Sequence, residues 1–334
     1  MTRQILLLCC CYLLGFGVTN AQDPIFSQFY AAPLQLNPAF AGNTNGAHFA
    51  LNYRNQWPSI PEAYITYAAS YDQFVPSLNS GFGLMLLSDD AGQGLIKTNK
   101  VAGFFSYRLQ VNRDFFLRLG TQISAVQTRL DWDRFIFLDQ IDERVGPISP
   151  GGTPFPTEEQ RPDQTSTTYL DISAGILAYS PGIYGGISIK HLNRPDESVL
   201  GINTNLNTGL PIRFTAHAGG EIKLTPGNKR QPASFISPNI MFVKQGDFGQ
   251  INGGAYLSAG RVFGGTWYRH TFSNADAVIF LVGVQQGVFK IGYSYDWTIS
   301  SLTLGDSGGS HEVSLIINLE GPENDDYNDC LKIF

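Results

Sequence analysis

Cysteine is almost missing from this chain, and where it stands excludes more than its scarcity does. Of 4 cysteines, Cys9, Cys10 and Cys11 lie in the apolar run 5–18, and only Cys330 lies beyond it. One remaining thiol cannot close an internal disulfide, so no disulfide scaffold holds the exported chain. No CxxC pair or Cys/His cluster is left to bind a structural zinc ion. Charge is scarce too, at 15% of residues, and leans acidic, with 22 basic against 28 acidic side chains. Nucleic-acid binding usually wants a basic face, so that partner class is excluded. After Val18 the longest apolar stretch spans eight positions, residues 277–284. A membrane helix needs about 20. Any membrane crossing must therefore be made by a closed barrel.

Catalytic patterns are missing as well. A serine hydrolase needs a serine, a histidine and a group that orients the histidine. Here His48, His191, His217, His270 and His311 each stand alone in their runs, and no GxSxG elbow occurs. Gly151-Gly152 and Gly308-Gly309 are turn glycines, because no Gly-Lys-Ser/Thr follows either pair. The acidic cluster Asp325, Asp326 and Asp329 lacks the spacing and glycine of a calcium loop. The expectation is no catalytic, metal or cofactor site.

What is present begins with a leader. Arg3, the apolar run 5–18 and the small residues Thr19-Asn20-Ala21 form a secretory signal peptide over residues 1–21. Arg3 is its only charged residue, so the remainder carries 21 basic and 28 acidic groups, a net charge of −7. Residues 22–46 are broken by Pro24, Pro33 and Pro38 and carry Phe26, Phe29, Tyr30, Leu34 and Phe40. They read as an irregular segment, either a packed plug or a periplasmic strap. Residues 47–320 hold about fourteen strand-like runs, and residues 321–334 are a C-terminal tail, acidic at first.

The runs alternate with period two, which is a strand signature because successive side chains point to opposite faces. Phe49, Leu51 and Tyr53 oppose His48, Asn52 and Arg54, and Phe115, Leu117 and Leu119 oppose Arg118, Gln122 and Ser124. Outer-membrane barrels combine an aromatic-edged lipid face with a polar lumen in this way. The fold class is therefore all-β: a transmembrane antiparallel barrel of about 14 strands. Parity sends Arg54, Lys100, Arg108, Arg118, Lys190, Arg213, Arg269 and Lys290 inward. It sends the acids Asp72, Asp171, Glu221, Asp296 and Glu312 the same way. Ile291, Tyr293, Tyr295 and Trp297 take the lipid face, with Trp297 at the extracellular girdle. On this reading arginine is tolerated better at Ser294 than at Ile291.

Connections after even-numbered runs are short (PSLN, QVNR, SPG), whereas 130–166, 192–210 and 300–310 all follow odd-numbered ones. That asymmetry is typical of an outer-membrane barrel with both termini in the periplasm. The 130–166 loop is rich in proline and glycine. With the 192–210 loop it offers Phe135, Phe137, Phe155 and Arg194 as candidate anchors for a protein partner, since aromatic and arginine side chains dominate such interfaces. From the residues alone, a porin or small-solute transporter is an equally valid use of such a barrel.

Four stretches carry a family resemblance. QDPIFSQFYAAPLQLNPAFAG (22–42), GGISIKHLNRP (185–195), GTWYR (265–269) and YSYDWTISSL with GGSHEVSL (293–315) resemble the PorP/SprF family of the type IX secretion system. The resemblance spans essentially the whole chain after the leader and does not include the 130–166 loop. It implies an outer-membrane barrel serving secretion, gliding motility or both. It also implies other components of that system as partners, together with a secreted adhesin, or its C-terminal domain, held at the cell surface.

Overall fold

Alternating apolar and polar side chains favour a pleated, half-buried backbone, and nearly every such run is a strand. The structure is a computed structural model and describes residues 23–319, apart from 45, 61–63, 143, 150, 200–208, 226–233, 301 and 303. The leader (1–21) and the tail (321–334) fall outside the described residues, as does the turn between runs eight and nine. The first seven strands are β1 (His48–Gln56), β2 (Tyr64–Val75), β3 (Ser80–Ala91), β4 (Ile96–Gln110), β5 (Phe116–Leu130), β6 (Ser166–Ser180) and β7 (Ile183–Lys190). There follow β8 (Arg213–Gly220), β9 (Ile222–Thr225), β10 (Ser234–Gln245), β11 (Phe248–Ala259), β12 (Val262–Thr271), β13 (Ala275–Gln286), β14 (Phe289–Thr298) and β15 (Ser310–Asn318).

Each strand pairs antiparallel with its neighbours, and β1 pairs with β15 from His48↔Asn318 to Gln56↔Ser310. β10 joins β8 and β9 on one side to β11 on the other. The sheet therefore closes on itself and leaves no edge along its length. β8 and β9 share one partner and are separated only by Glu221, so they form a single interrupted stave, and the wall has fourteen. Glu221 was expected to face the lumen from a strand. Instead it is half-buried at the interruption, its N–H donating to the Gly182 carbonyl (2.9 Å). The break in the ladder removes the parity on which that expectation rested.

The three longest connections, 131–165, 191–212 and 299–309, all join strands at one end of the barrel. That end also holds three tight turns, at 92–95, 246–247 and 272–274, so loop length sorts by parity in one direction only. The 130–166 loop is more built than its composition suggests. Short 3-10 turns at Trp132–Arg134 and Leu138–Gln140 are joined by bridges Asp142↔Gly146 and Ile148↔Pro154.

The outer face carries Leu51, Leu86, Val101, Ile123, Ile176, Ile240 and Val282, all exposed. A continuous apolar band of this extent is unstable in water and suits a bilayer. Ile291, Tyr293 and Trp297 belong to it, and Tyr295 is half-exposed on the same side. Arginine at Ile291 is expected to lower the barrel's stability in lipid by about 2–4 kcal/mol, the cost of a cation near mid-bilayer. Denaturant unfolding from liposomes checks this, and an unchanged midpoint would contradict the assignment of that face.

Candidate functional site

Three prolines keep residues 23–44 from forming a strand and shape them for another task. Pro33 and Pro38 open short helical turns, Pro33–Leu36 and Pro38–Phe40, at the position where a missing N–H costs nothing. The segment so compacted lies inside the barrel, and every residue from 26 to 43 is buried. Eight strands enclose a space that wall side chains can fill, whereas sixteen leave a channel. Fourteen leave room that this segment occupies.

Its path runs the length of the lumen. Asp23 meets His191 (3.1 Å), Arg213 (3.4 Å) and Gln245 (3.3 Å) at the long-loop end. Farther in, Ser188 Oγ donates to the Leu36 carbonyl (2.8 Å) and Lys190 Nζ to that of Gln35 (2.7 Å). Arg118 then donates to the carbonyls of Ala41 and Gly42, both at 2.8 Å, toward the short-turn end. The wall begins and ends at that same short-turn end, with His48 paired to Asn318. The first and last strands of the wall therefore start and finish on one face, which the N-terminal segment does not share. Threading carries Asp23 to the opposite mouth.

The densest contact is an ion network around Ser27 and Gln28. Glu312 accepts the backbone N–H of both residues, at 2.8 and 2.9 Å. Ser27 Oγ donates to Asp296 (2.6 Å) and accepts from Arg54 (2.6 Å) and Arg269 (3.1 Å). Arg54 bridges Asp296 and Glu312, both at 3.1 Å, and Arg269 reaches Asp296 at 2.9 Å. Arg269 also pairs with Asp276. The Gln28 side chain donates to Ser294 Oγ (3.1 Å) and accepts from Ser314 Oγ (2.6 Å). Buried charge is stable only when paired and hydrogen-bonded, and here wall and segment satisfy one another. The tolerance expected for arginine at Ser294 does not follow, because Ser294 is wholly buried beneath Gln28.

A second tether is Asn37. Its amide donates to the carbonyls of Ile176 (3.1 Å) and Ile187 (3.2 Å) and lies 3.1 Å from His217 Nε2. The wall can come this close because Gly175 has no side chain, and a Cβ there would strike Asn37. Gly120 does the same for the Ala39 backbone. At the long-loop mouth burial opposes charge on both Asp23 and His191. The neighbouring His191 holds the Asp23 carboxyl well below its ordinary range, while Asp23 and Asp171 lift His191 to about 9.

The remaining predicted interior charges are also accounted for. Asp72 accepts from the Gly42 N–H (2.8 Å) and lies 2.7 Å from His48. Asp171 holds His191 (3.0 Å) and Lys100 (3.7 Å). Lys290 lies over the rings of Tyr256 and Phe263, and half-buried Arg108 sits over Phe74. The lumen is not polar throughout, however. Between β10 and β13 the inward face carries Tyr256, Phe263, Trp267 and Ile279, which share one buried cluster with Phe29 and Tyr30 of the segment, Tyr256 and Trp267 in direct ring contact with them. Parity analysis gave aromatics to the outer face and missed this sector.

It also missed Asp276. The ladder slips between Arg269 and His270, so Asp276 sits in a bulge that swings it toward Arg269. Of the loop candidates, Phe135 and Phe137 pack together with Trp132 and are half-buried, as is Phe155. Arg194 is exposed, and no contact joins it to those rings among the described residues. The most exposed apolar side chain of the loop is Leu138, at 89%.

A family model described as type IX secretion system membrane protein PorP/SprF matches residues 18–317. No curated protein matches. Among solved structures, the outer membrane protein Omp33 of Acinetobacter baumannii is similar at TM-score 0.44 and 9% identity, over 82% of this chain and 99% of its own. A FadL homologue of Pseudomonas aeruginosa is similar at TM-score 0.41 and 12% identity, over 84% and 92%.

Removing the Glu312 carboxylate strands two backbone N–H groups and unbalances Arg54. Breaking a buried pair in this way costs about 3–5 kcal/mol. Glu312→Ala is expected to loosen the segment and open conductance steps in planar bilayers that the parent protein lacks. Bilayers as quiet as the parent's would show that this network does not hold the lumen closed.

Proposed function

Given that the chain belongs to the PorP/SprF family of type IX secretion system membrane proteins, we propose that it is a closed docking barrel that binds an exported adhesin or its C-terminal domain. Surface attachment of that cargo, and gliding where the cargo is an adhesin, would follow from this binding. The observation that carries the reading is the filled lumen. With residues 26–43 buried inside and tied to the wall, the barrel has the build of a scaffold more than that of a pore. In this reading the short-turn end faces the periplasm and the long loops face outward. Ile291, Tyr293, Tyr295 and Trp297 then meet lipid.

A closed barrel can recognise a protein only through its loops and rims. Phe135, Phe137, Phe155 and Arg194 remain the proposed anchors. Exposed Ile136, Leu138 and Ile141 beside them add apolar surface of the kind that interfaces bury. No catalytic role is proposed for any of these residues.

Deleting residues 147–164 removes the Ile148↔Pro154 bridge and Phe155 and leaves β5 and β6 intact. The expected result is a heat-modifiable, membrane-inserted barrel that releases its cargo into the medium, measured by surface labelling and by cargo in the supernatant. Cargo retained at wild-type levels would remove this loop as the docking site. If deleting the gene left surface display intact and lowered uptake of a small solute, a transporter would be the better account.

A further inference from the structure

Although the barrel has no edge along its length, it has one at its mouth. β5 and β6 are paired to the top, with Arg129 opposite Ser166. On the other side of β6, β7 pairs only from Ala174↔Ile189 down to Ser180↔Ile183. Roughly 9–11 tilted residues suffice to cross a bilayer. The fifteen residues of β6 therefore project past its neighbour at the long-loop end.

The first part of this gap is closed by something that imitates a strand. The Leu192 N–H donates to the Ile172 carbonyl (2.9 Å). The Asn193 side-chain amide then accepts the Ile172 N–H (3.0 Å) and donates to the Leu170 carbonyl (2.7 Å), as a backbone amide would. The chain turns away on left-handed backbone at His191 (φ 59°) and Arg194 (φ 44°). Alternate residues of an antiparallel strand send N–H and C=O to the same side. Ser166 and Thr168 thus point theirs the way Leu170 and Ile172 do, and no partner for them is recorded among the described residues. Exposed edges usually carry charge or proline against unwanted pairing. Residues 164–170, Gln-Thr-Ser-Thr-Thr-Tyr-Leu, carry neither and are rich in strand-forming types.

We infer that the upper edge of β6, residues 166–170, pairs with an extended segment of the exported protein, adding a strand to the barrel mouth. Backbone hydrogen bonds supply the attachment, and Asn193 sets the depth at which the added strand stops. This rests on the docking reading above and gives that reading a mode of attachment.

Thr168→Pro tests it, because proline deletes an N–H that faces the open edge and takes none from the β5 ladder. Thr168→Val, which keeps the N–H, is the control. In cells, Thr168→Pro is expected to lower surface-retained cargo at least tenfold and Thr168→Val to leave it unchanged, both barrels staying heat-modifiable. Retention by Thr168→Pro would overturn the inference. Should Thr168→Pro fail to fold, amide exchange on the wild-type protein, purified with and without its cargo, decides. Protection over 166–170 that rises at least tenfold with cargo supports the added strand, and unchanged protection refutes it. If deleting 147–164 releases the cargo while Thr168→Pro keeps it, only this inference fails. If no cargo depends on the gene, the docking reading fails with it.

Discussion

The interior of this barrel depends on one demand: two consecutive backbone N–H groups, those of Ser27 and Gln28, must find acceptors where there is little room for water. Glu312 supplies both. A carboxylate there would be intolerable alone, since desolvating it costs several kcal/mol. Arg54 neutralises it and is shared with Asp296, which in turn engages Arg269. Each group is held by at least two others, so the network is satisfied only when the segment is in place. The neighbouring wall strands follow from this. Charges and hydroxyls on β1, β12, β14 and β15 are inward because the segment presents backbone and Ser27 to them.

The other side of the lumen answers a different surface. Phe29 and Tyr30 meet Trp267, Tyr30 also meets Tyr256, which packs in turn on Phe263, and Trp267 Nε1 donates to Asn239 (2.5 Å), so that its one polar atom is not stranded. Segment and wall together thus make a core with an ionic half and an aromatic half. A barrel packed this way has lost the usual use of its lumen. On the docking reading, recognition passes to the mouth, where the long loops and the upper edge of β6 lie.

Much of the wall was legible because period two survives whatever the strand packs against. Arg118, Asp171 and Asp296 point inward simply by position in their runs. Position says nothing, though, about what waits inside. An inward Tyr256 or Trp267 is indistinguishable from an outward one until the apolar residues of 26–40 are known to lie opposite. Nor does alternation survive a break: Glu221 loses its face at an interruption of the ladder, and Asp276 gains one at a bulge. The polar residues that matter most in the segment, Ser27, Gln28 and Asn37, sit in an irregular stretch with no period to interpret. The proline positions signalled only that it was not a strand. The Pro and Gly content of the 130–166 loop gave no sign of the turns and short bridges that its residues build.

The central claim is that the N-terminal segment is part of the barrel's core. Amide hydrogen exchange at Ser27 and Gln28, in the purified protein in lipid, tests this most directly. If Glu312 and the surrounding network hold them as described, both amides exchange within about tenfold of the wall amides of β14 and β15. Exchange as fast as that of the exposed Gly151 and Gly152 would contradict it.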